Sequence, residues 1–437
     1  MAKRKDLKVA SNRGTVLKVR PSPHQGHHTS VQCVIFVGGP GTRLGRFAEN
    51  RPKPLAPVGG KPFLEMLVRQ LARHGFDEIV LLAGYLGSKI QDLFSEDFEL
   101  DPYTRVRTTV LVEPEPAGTA GALKFAQEAL DEVFLLVNGD RFFDINVLDL
   151  IAMPAREPWL VKIALREVPD SGRYGVAELQ DEHVRAFGAA PEPGQPGVIS
   201  GGVYWAKKEL LDFISVTPAS LERDVLPRLA RRGLLRGRVY DAFFIDIGIP
   251  EDLRRADALV PSQERRGAAF LDRDGVLNVD NGYVGRISEF EWVNGAREAV
   301  KRLNDAGFLV FVVTNQAGVA HGFYEIEDVE ALHRWMQVEL RDAGAHIDAF
   351  RYCPYHEGGA RSDYAKAHPW RKPEPGMLLD LIQHWPVREE QSFLVGDKRS
   401  DIEAAERINM PAYRFEGGNL DIATADYLRD RSPWPQG

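Results

Sequence analysis

The sequence predicts an α/β protein of two successive units, each a β-sheet lying between layers of helices. Three observations lead there. Short apolar runs of strand length alternate with amphipathic helical stretches through most of the chain. Several of these runs end abruptly in a glycine or an aspartate, which is where open α/β sheets bind their ligands. At 437 residues, 44% of them hydrophobic, the chain suffices for two or three domains of about 150 residues with real cores.

Residues 1–30 are basic and polar and include His24, His27 and His28. They lack the apolar centre of a signal peptide and are expected to form a disordered extension. The first unit is expected over 31–259. Its opening strand, Val34–Val37, runs into Gly38-Gly39-Pro40-Gly41-Thr42-Arg43-Leu44. Closely spaced glycines let backbone N–H groups approach a nucleotide, and Arg43 can neutralise a triphosphate. Next comes a proline-stiffened segment, Arg51-Pro52-Lys53-Pro54, in which Lys53 is either a phosphate-facing cation or an ordinary exposed lysine.

Phe63–His74 has helical periodicity, Ile79–Ala83 reads as a buried strand, and a helix starts near Ser88. A second turn of small residues, with Gly118, Thr119 and Gly121, feeds another helix. Val133–Val137 ends in Asn138-Gly139-Asp140 and Phe243–Ile245 ends in Asp246, so each presents an aspartate after a buried strand. Glu251–Leu259 is a polar helix, and 260–267, VPSQERRG, reads as an exposed linker.

The second unit, 268–427, is organised around Phe270–Asn278, FLDRDGVLN. Asp272 and Asp274 share one side if the strand continues past Leu271, and Gly275 lets the backbone turn away. Such a pair suits metal-assisted phosphoryl transfer, with one aspartate attacking phosphorus and the other handling the leaving-group proton. A solvated Asp-x-Asp turn would look the same in isolation. Three further stations favour the chemical account: Thr314-Asn315-Gln316 and Gly396-Asp397-Lys398, each after an apolar run, and Arg371-Lys372-Pro373 between them. Thr314 offers a hydroxyl and Lys372 a charge to phosphate oxygens. Asp397 completes an oxygen-ligand site of the kind magnesium prefers. Residues 428–437 form a charged, proline-rich tail expected to fray.

These motifs carry two resemblances. The order Asp-x-Asp-Gly-Val-Leu-Asn, Val-Thr-Asn-Gln, Arg-Lys-Pro and Gly-Asp-Lys resembles the haloacid-dehalogenase-like phosphatases, in the branch of D-glycero-D-manno-heptose 1,7-bisphosphate phosphatases and histidinol-phosphatases. The resemblance implies a Rossmann-like parallel sheet without a large cap. It implies Asp272 as nucleophile, Asp274 as general acid/base, Thr314 and Lys372 as phosphate binders, and Asp272, Asp274 and Asp397 at a magnesium ion. Asn315, Gln316, Arg371 and Lys398 would line the substrate pocket. The glycine-rich loop with Pro-Lys-Pro resembles the sugar-phosphate nucleotidyltransferases, which implies a Rossmann-like mixed sheet in the first unit. Gly38, Gly39, Gly41, Thr42, Gly118, Thr119 and Gly121 would then bind nucleotide, Arg43 and Lys53 would be catalytic, and Asp140 and Asp246 would hold magnesium.

Departures from the two patterns are informative. Where the second family carries a zinc loop, only Cys353 stands in a ligand position, with His356 and His368 nearby. Structural zinc wants four closed ligands, so none is expected. Where the first family carries Phe-x-Glu-Lys, this chain has Phe187-Gly188-Ala189-Ala190. Arg141 or Arg173 can replace the missing cation, since arginine recognises phosphate well.

A net charge of −8 argues against a nucleic-acid binder. Two cysteines, Cys33 and Cys353, give no disulfide framework, which fits the reducing cytoplasm. No apolar run approaches the ~20 residues of a membrane span. Nothing in the sequence fixes an oligomeric state. The expected partners are sugar phosphates and a nucleoside triphosphate. The resemblances imply hydrolysis of heptose bisphosphate to the 1-phosphate through an aspartyl-phosphate, then nucleotidyl transfer, guanylyl in preference to adenylyl. The alternative is a histidinol-phosphatase whose first unit senses sugar phosphates without catalysis.

Overall fold

The computed structural model describes residues 8–10, 16–18, 31–39, 41–47, 50–94, 97–154, 158–188 and 191–429. In the first half, four parallel strands lie in the order Thr104–Val112, Glu78–Ala83, Gln32–Phe36, Val133–Asn138. The sheet therefore grows one way from its first strand and then reverses. That reversal opens a crevice between the carboxyl ends of Gln32–Phe36 and Val133–Asn138. Both are near-continuous apolar runs because helices cover both faces. Beyond Val133–Asn138 the sheet continues through antiparallel Gly197–Lys207 into a mixed far end, giving ten strands in all.

The second half repeats the logic in purely parallel form. Its five strands run in the order Ala349–Cys353, Leu309–Asn315, Ala268–Leu271, Phe393–Gly396, Ala412–Arg414. Helix Ala296–Asp305 buries Ala296, Ala299, Val300 and Leu303, a stripe at helical spacing, against one face of this sheet. Ile326–Asp342 joins it there, with Met336 fully buried and Trp335 packed on Phe290 and Trp292. Helices Gly376–His384 and Arg399–Glu406 cover the other face. Between Leu271 and Ala296 lie only turns and the short helix Ile287–Glu289, so there is no large cap among the described residues.

Three boundary expectations need correction. The segment 260–267 is not an exposed linker: helix Pro250–Glu264 runs through it, Val260 is buried among Val58 and Leu253, and Pro261 packs against Gly59. Pro261 lies inside this helix, beside the buried Val260. Within the expected disordered extension, Lys8–Ala10 and Val16–Lys18 pair as antiparallel strands, while the rest of 1–30 lies outside the described residues. The last helix continues to Arg429, and 430–437 likewise lie outside.

The two halves share a buried junction. One apolar cluster includes Leu71, Phe76 and Leu148 from the first half and Phe311, Met377 and Trp385 from the second. Arg73 Nε donates to Asp348 at 2.7 Å, and Asp101 accepts from Arg351 at 3.2 Å and from the Trp385 indole at 3.1 Å. Cys33 and Cys353 are both buried and free. No helix among the described residues is long and apolar enough to cross a membrane.

Candidate active sites

At the reversal point of the second sheet, Asp272 follows Ala268–Leu271 and Asp397 follows Phe393–Gly396, so the topology sets the two acids side by side. Gly275 makes this approach possible: its φ is +92°, and a Cβ there would stand 2.3 Å from Asp397 Oδ2. Lys372, 4% exposed, reaches in from the Arg371-Lys372-Pro373 segment. Its Nζ lies 2.9 Å from Asp272 Oδ1 and 2.7 Å from Asp401 Oδ1, and donates to the Val313 carbonyl at 2.8 Å. Asn315 holds that segment in place, exchanging two 3.0 Å hydrogen bonds with the Lys372 backbone.

Asp272, Asp397 and Asp401 each present a carboxylate oxygen within 4.8 Å of the others. Asp397 Oδ1 is buried and accepts no hydrogen bond. Three acids facing one ammonium leave an excess of negative charge, and an all-oxygen set fits a small hard cation. Burial pushes the Asp272 carboxyl up to about 7, with Asp401 and Asp274 adding to the shift and Lys372 opposing it. Burial likewise raises Asp397, against the pull of Lys398.

Asp401 was not legible as a site residue. It occupies the third position of helix Arg399–Glu406, where Oδ2 accepts the Lys398 N–H at 2.9 Å and leaves Oδ1 facing Lys372. The Asp-Lys-x-x-Asp spacing of a reciprocal helix cap was the available signal. Asp274, expected at the metal, lies outside the three-acid group. Its Oδ1 accepts from Arg273 Nε at 3.0 Å and Nη2 at 2.9 Å, and its Oδ2 accepts from Gln316 at 2.9 Å. Gln316, expected on the pocket wall, is fully buried; it donates to Thr314 Oγ1 at 2.8 Å and accepts from the Tyr324 hydroxyl at 2.7 Å. Short strand-end polar residues thus turn inward to orient the acid. Arg371 donates to the Tyr355 carbonyl at 3.3 Å, and Lys398 pairs with Asp280 at 2.8 Å. Nearby, Nδ1 of His356 and of His368 each accept a backbone N–H, and His368 stacks on Tyr355.

The crevice of the first sheet is a cavity of about 240 Å³ lined by Gly38, Gly39, Lys53, Glu113, Thr119 and Asp140, among others. Lys53, nearly buried, sits on a short turn after Pro52, with Nζ 2.5 Å from Asp140 and 3.7 Å from Asp246. Arg141 pairs with Asp246 at 3.2 Å and with Glu222 at 3.0 Å. The register explains this: Arg141–Phe143 and Phe244–Asp246 form a small antiparallel pair that sets Arg141 opposite Asp246. Burial opposes ionisation of Asp140 most strongly, yet Lys53 and Arg141 hold its carboxyl below the usual range. Arg141 and Arg173 each place a guanidinium 5.6 Å from the Tyr174 ring, and Arg173 pairs with Asp252 at 2.9 Å.

Not every expected nucleotide residue lines this cavity. Gly118, at φ +72°, does, and a Cβ there would meet the Ala219 carbonyl at 2.4 Å. Thr119 lends its hydroxyl to the Leu221 N–H at 2.8 Å. Gly121 is instead a packing glycine, pressed against Ala117 and Thr217. Gly41 precedes the short helix Thr42–Phe47 and Thr42 and Arg43 open it, with Arg43 exposed and outside the cavity wall. Glu113, which the sequence reading passed over, stands on that wall; burial raises its carboxyl, against a hydrogen bond from Ala117 N–H.

Comparison with known proteins bears on both sites. Residues 32–263 match the family model described as nucleotidyl transferase, and residues 369–430 match the HAD-hydrolase-like model. The chain is 49% identical over 170 residues to the D-glycero-beta-D-manno-heptose-1,7-bisphosphate 7-phosphatase of Rhodopseudomonas palustris, covering 39% of this chain and 94% of that protein. It is 41% identical over 143 residues to the protein of the same name from Escherichia coli K12, covering 33% of this chain and 75% of that one. Among solved structures, HddC from Yersinia pseudotuberculosis complexed with GMP-PN is 31% identical, covers 52% of this chain and 98% of that chain, and has a TM-score of 0.45.

Proposed function

Because the chain belongs to the nucleotidyl transferase family through residues 32–263 and to the D-glycero-beta-D-manno-heptose-1,7-bisphosphate 7-phosphatase family through its second half, we propose that it joins two reactions in order. The first removes the 7-phosphate of D-glycero-D-manno-heptose 1,7-bisphosphate. The second transfers a guanylyl group onto the remaining 1-phosphate. The observation that carries this reading is Lys372 held between Asp272 and Asp401 at 2.9 and 2.7 Å, with Asp397 beside them.

In the phosphatase half, an oxygen of Asp272 attacks phosphorus and the bond to the sugar oxygen breaks. The departing oxygen takes the proton held by Asp274. Asp274, now ionised, takes a proton from water; that water attacks the aspartyl-phosphate, releasing inorganic phosphate and freeing Asp272. Lys372 balances charge on Asp272 and on the phosphate, and Thr314, already accepting from Gln316, keeps its own proton for a phosphate oxygen. Asp272, Asp397 and Asp401 would hold a magnesium ion, which would supply positive charge to neutralise the phosphate oxygens.

In the transferase half, a sugar 1-phosphate oxygen attacks the α-phosphorus of the nucleotide and pyrophosphate leaves. Lys53 and Arg43 neutralise the triphosphate, Asp140 and Asp246 would hold a second magnesium ion, and Arg141 or Arg173 grips the sugar phosphate in place of the missing lysine. Glu113 supports guanine: a carboxylate accepts from the N1–H and exocyclic amine of guanine, whereas adenine offers an acceptor at N1. The protein is thus an enzyme with both phosphatase and nucleotidyltransferase activity, working in the cytoplasm on small phosphorylated sugars.

The test is to incubate the full chain with heptose bisphosphate, magnesium and each nucleoside triphosphate separately, identifying products by mass. GDP-heptose, with one phosphate and one pyrophosphate released per molecule, is the expected outcome. Asp272→Asn should block this from the bisphosphate but not from the 1-phosphate, and Asp140→Asn should keep phosphate release while stopping transfer. Absence of pyrophosphate release with every nucleotide tested would overturn the transferase half, and preference for histidinol phosphate would reassign the phosphatase.

A further inference from the structure

Around the phosphatase site, loops following three neighbouring strands bring together two exposed rings, Tyr283 and Phe323, and two half-buried ones, His321 and His356. Tyr283 lies on the loop after Ala268–Leu271, His321 and Phe323 follow Leu309–Asn315, and His356 follows Ala349–Cys353. Tyr283 meets Phe323 edge to face at 4.8 Å and His321 at 5.6 Å, and His321 lies 5.0 Å from His356. Tyr283 and Phe323 are 51% and 52% exposed, an unusual state for two large rings in contact.

Two features show that this cluster is built rather than incidental. Tyr283 has φ +54°, a left-handed conformation that costs a bulky residue energy and that persists only where the surroundings enforce it. The loop that enforces it is tied to the catalytic end of the sheet: Asp280 accepts from Gly282 N–H at 3.0 Å and pairs with Lys398, the neighbour of Asp397, at 2.8 Å. Phe323 is held from the other side, its carbonyl accepting from Arg286 at 3.0 Å.

We propose that Tyr283 and Phe323 form an aromatic platform on which the carbon face of the substrate's sugar packs, making them the residues that select a cyclic sugar phosphate over a small acyclic one. The proposal rests on the phosphatase reading above and adds its specificity contact. A substrate entering over the carboxyl ends of the strands passes these rings, and C–H bonds of a sugar ring lie favourably on an aromatic face. The phosphoryl group then reaches Asp272 with its orientation already limited.

The variants Tyr283→Gly, which suits the left-handed backbone and so protects folding, and Phe323→Ala test this. Each should raise KM for heptose bisphosphate by about tenfold or more, while hydrolysis of glycerol phosphate, which has no ring, stays within about twofold of wild type. Tyr283→Phe should restore wild-type KM. Unchanged KM for the bisphosphate in both variants, or an equal loss on both substrates, would overturn the platform. Wild-type protein that fails to hydrolyse heptose bisphosphate at all would instead sink the underlying functional reading.

Discussion

The guanidinium of Arg273, wholly shielded from solvent, grips the carboxylate of Asp274, its neighbour in the chain, with Nε and Nη2 at 3.0 and 2.9 Å from Oδ1. The opposite nitrogen of Arg273 lies 3.3 Å from His333 Nε2, so a buried histidine from helix Ile326–Asp342 backs the clamp. Lysine has neither the planar fork nor the reach to His333. Arg273→Lys should therefore lower kcat for phosphate release by roughly 100-fold, with KM little changed, because Asp274 loses its fixed direction. His333→Leu should give a smaller loss of the same kind. Steady-state kinetics on both variants checks this.

Asp401 is expected to act on the metal and on Lys372 together. Asp401→Asn keeps the side-chain shape but removes one of three charges, so the magnesium concentration for half-maximal activity should rise at least about tenfold. Titration calorimetry with magnesium reads the same effect without turnover. Unaltered magnesium affinity would place the ion elsewhere.

The pH dependence follows from Asp272, whose carboxyl is raised from 3.8 to about 7 chiefly by burial. A raised acid binds its proton more tightly folded than unfolded. Its contribution to stability is therefore greatest below pH 3.8 and is lost as pH climbs to about 7. In metal-free protein, the melting temperature of wild type relative to Asp272→Asn should fall across that window, and saturating magnesium should cancel the fall. Scanning fluorimetry at several pH values, with and without magnesium, measures both.

Glu113→Gln addresses the base. Replacing one acceptor oxygen by an amide donor should cut the preference for GTP over ATP by roughly 10- to 100-fold in kcat/KM. Pyrophosphate release with each nucleotide measures it, and an unchanged ratio would remove Glu113 from base selection.

At the junction, Asp348 is fully buried in its side chain and holds both Arg73 and the Val310 N–H at 2.7 Å. Asp348→Ala strands a buried guanidinium and should cost about 3–5 kcal/mol. Because an apolar cluster runs through both halves, calorimetry should show one transition moving downward. Two separated transitions in wild type would mean that the halves stand independently.

What the sequence made legible follows from where each signal lies. Asp272, Lys372, Asp397, Lys53, Asp140 and Asp246 sit directly after buried apolar strands or in stiff proline segments, so strand order alone brought them together. Asp401 and Glu113 escaped because their roles depend on a helix cap and on a strand end whose direction no local pattern fixes. Gln316 was misread for the converse reason: two residues after Thr314 in sequence, it turns inward toward Tyr324. The polar composition of 260–267 read as an exposed linker, and only the burial of Val260 against Val58 shows why the helix continues into it.

The most direct test is of covalent capture on Asp272. Protein mixed with heptose 1,7-bisphosphate and magnesium, quenched in acid within milliseconds and digested, should yield the peptide containing Asp272 with one added phosphoryl group. Asp272→Asn, which lacks the attacking carboxylate, should give no labelled peptide. Normal turnover with the peptide unmodified at every quench time would contradict the account.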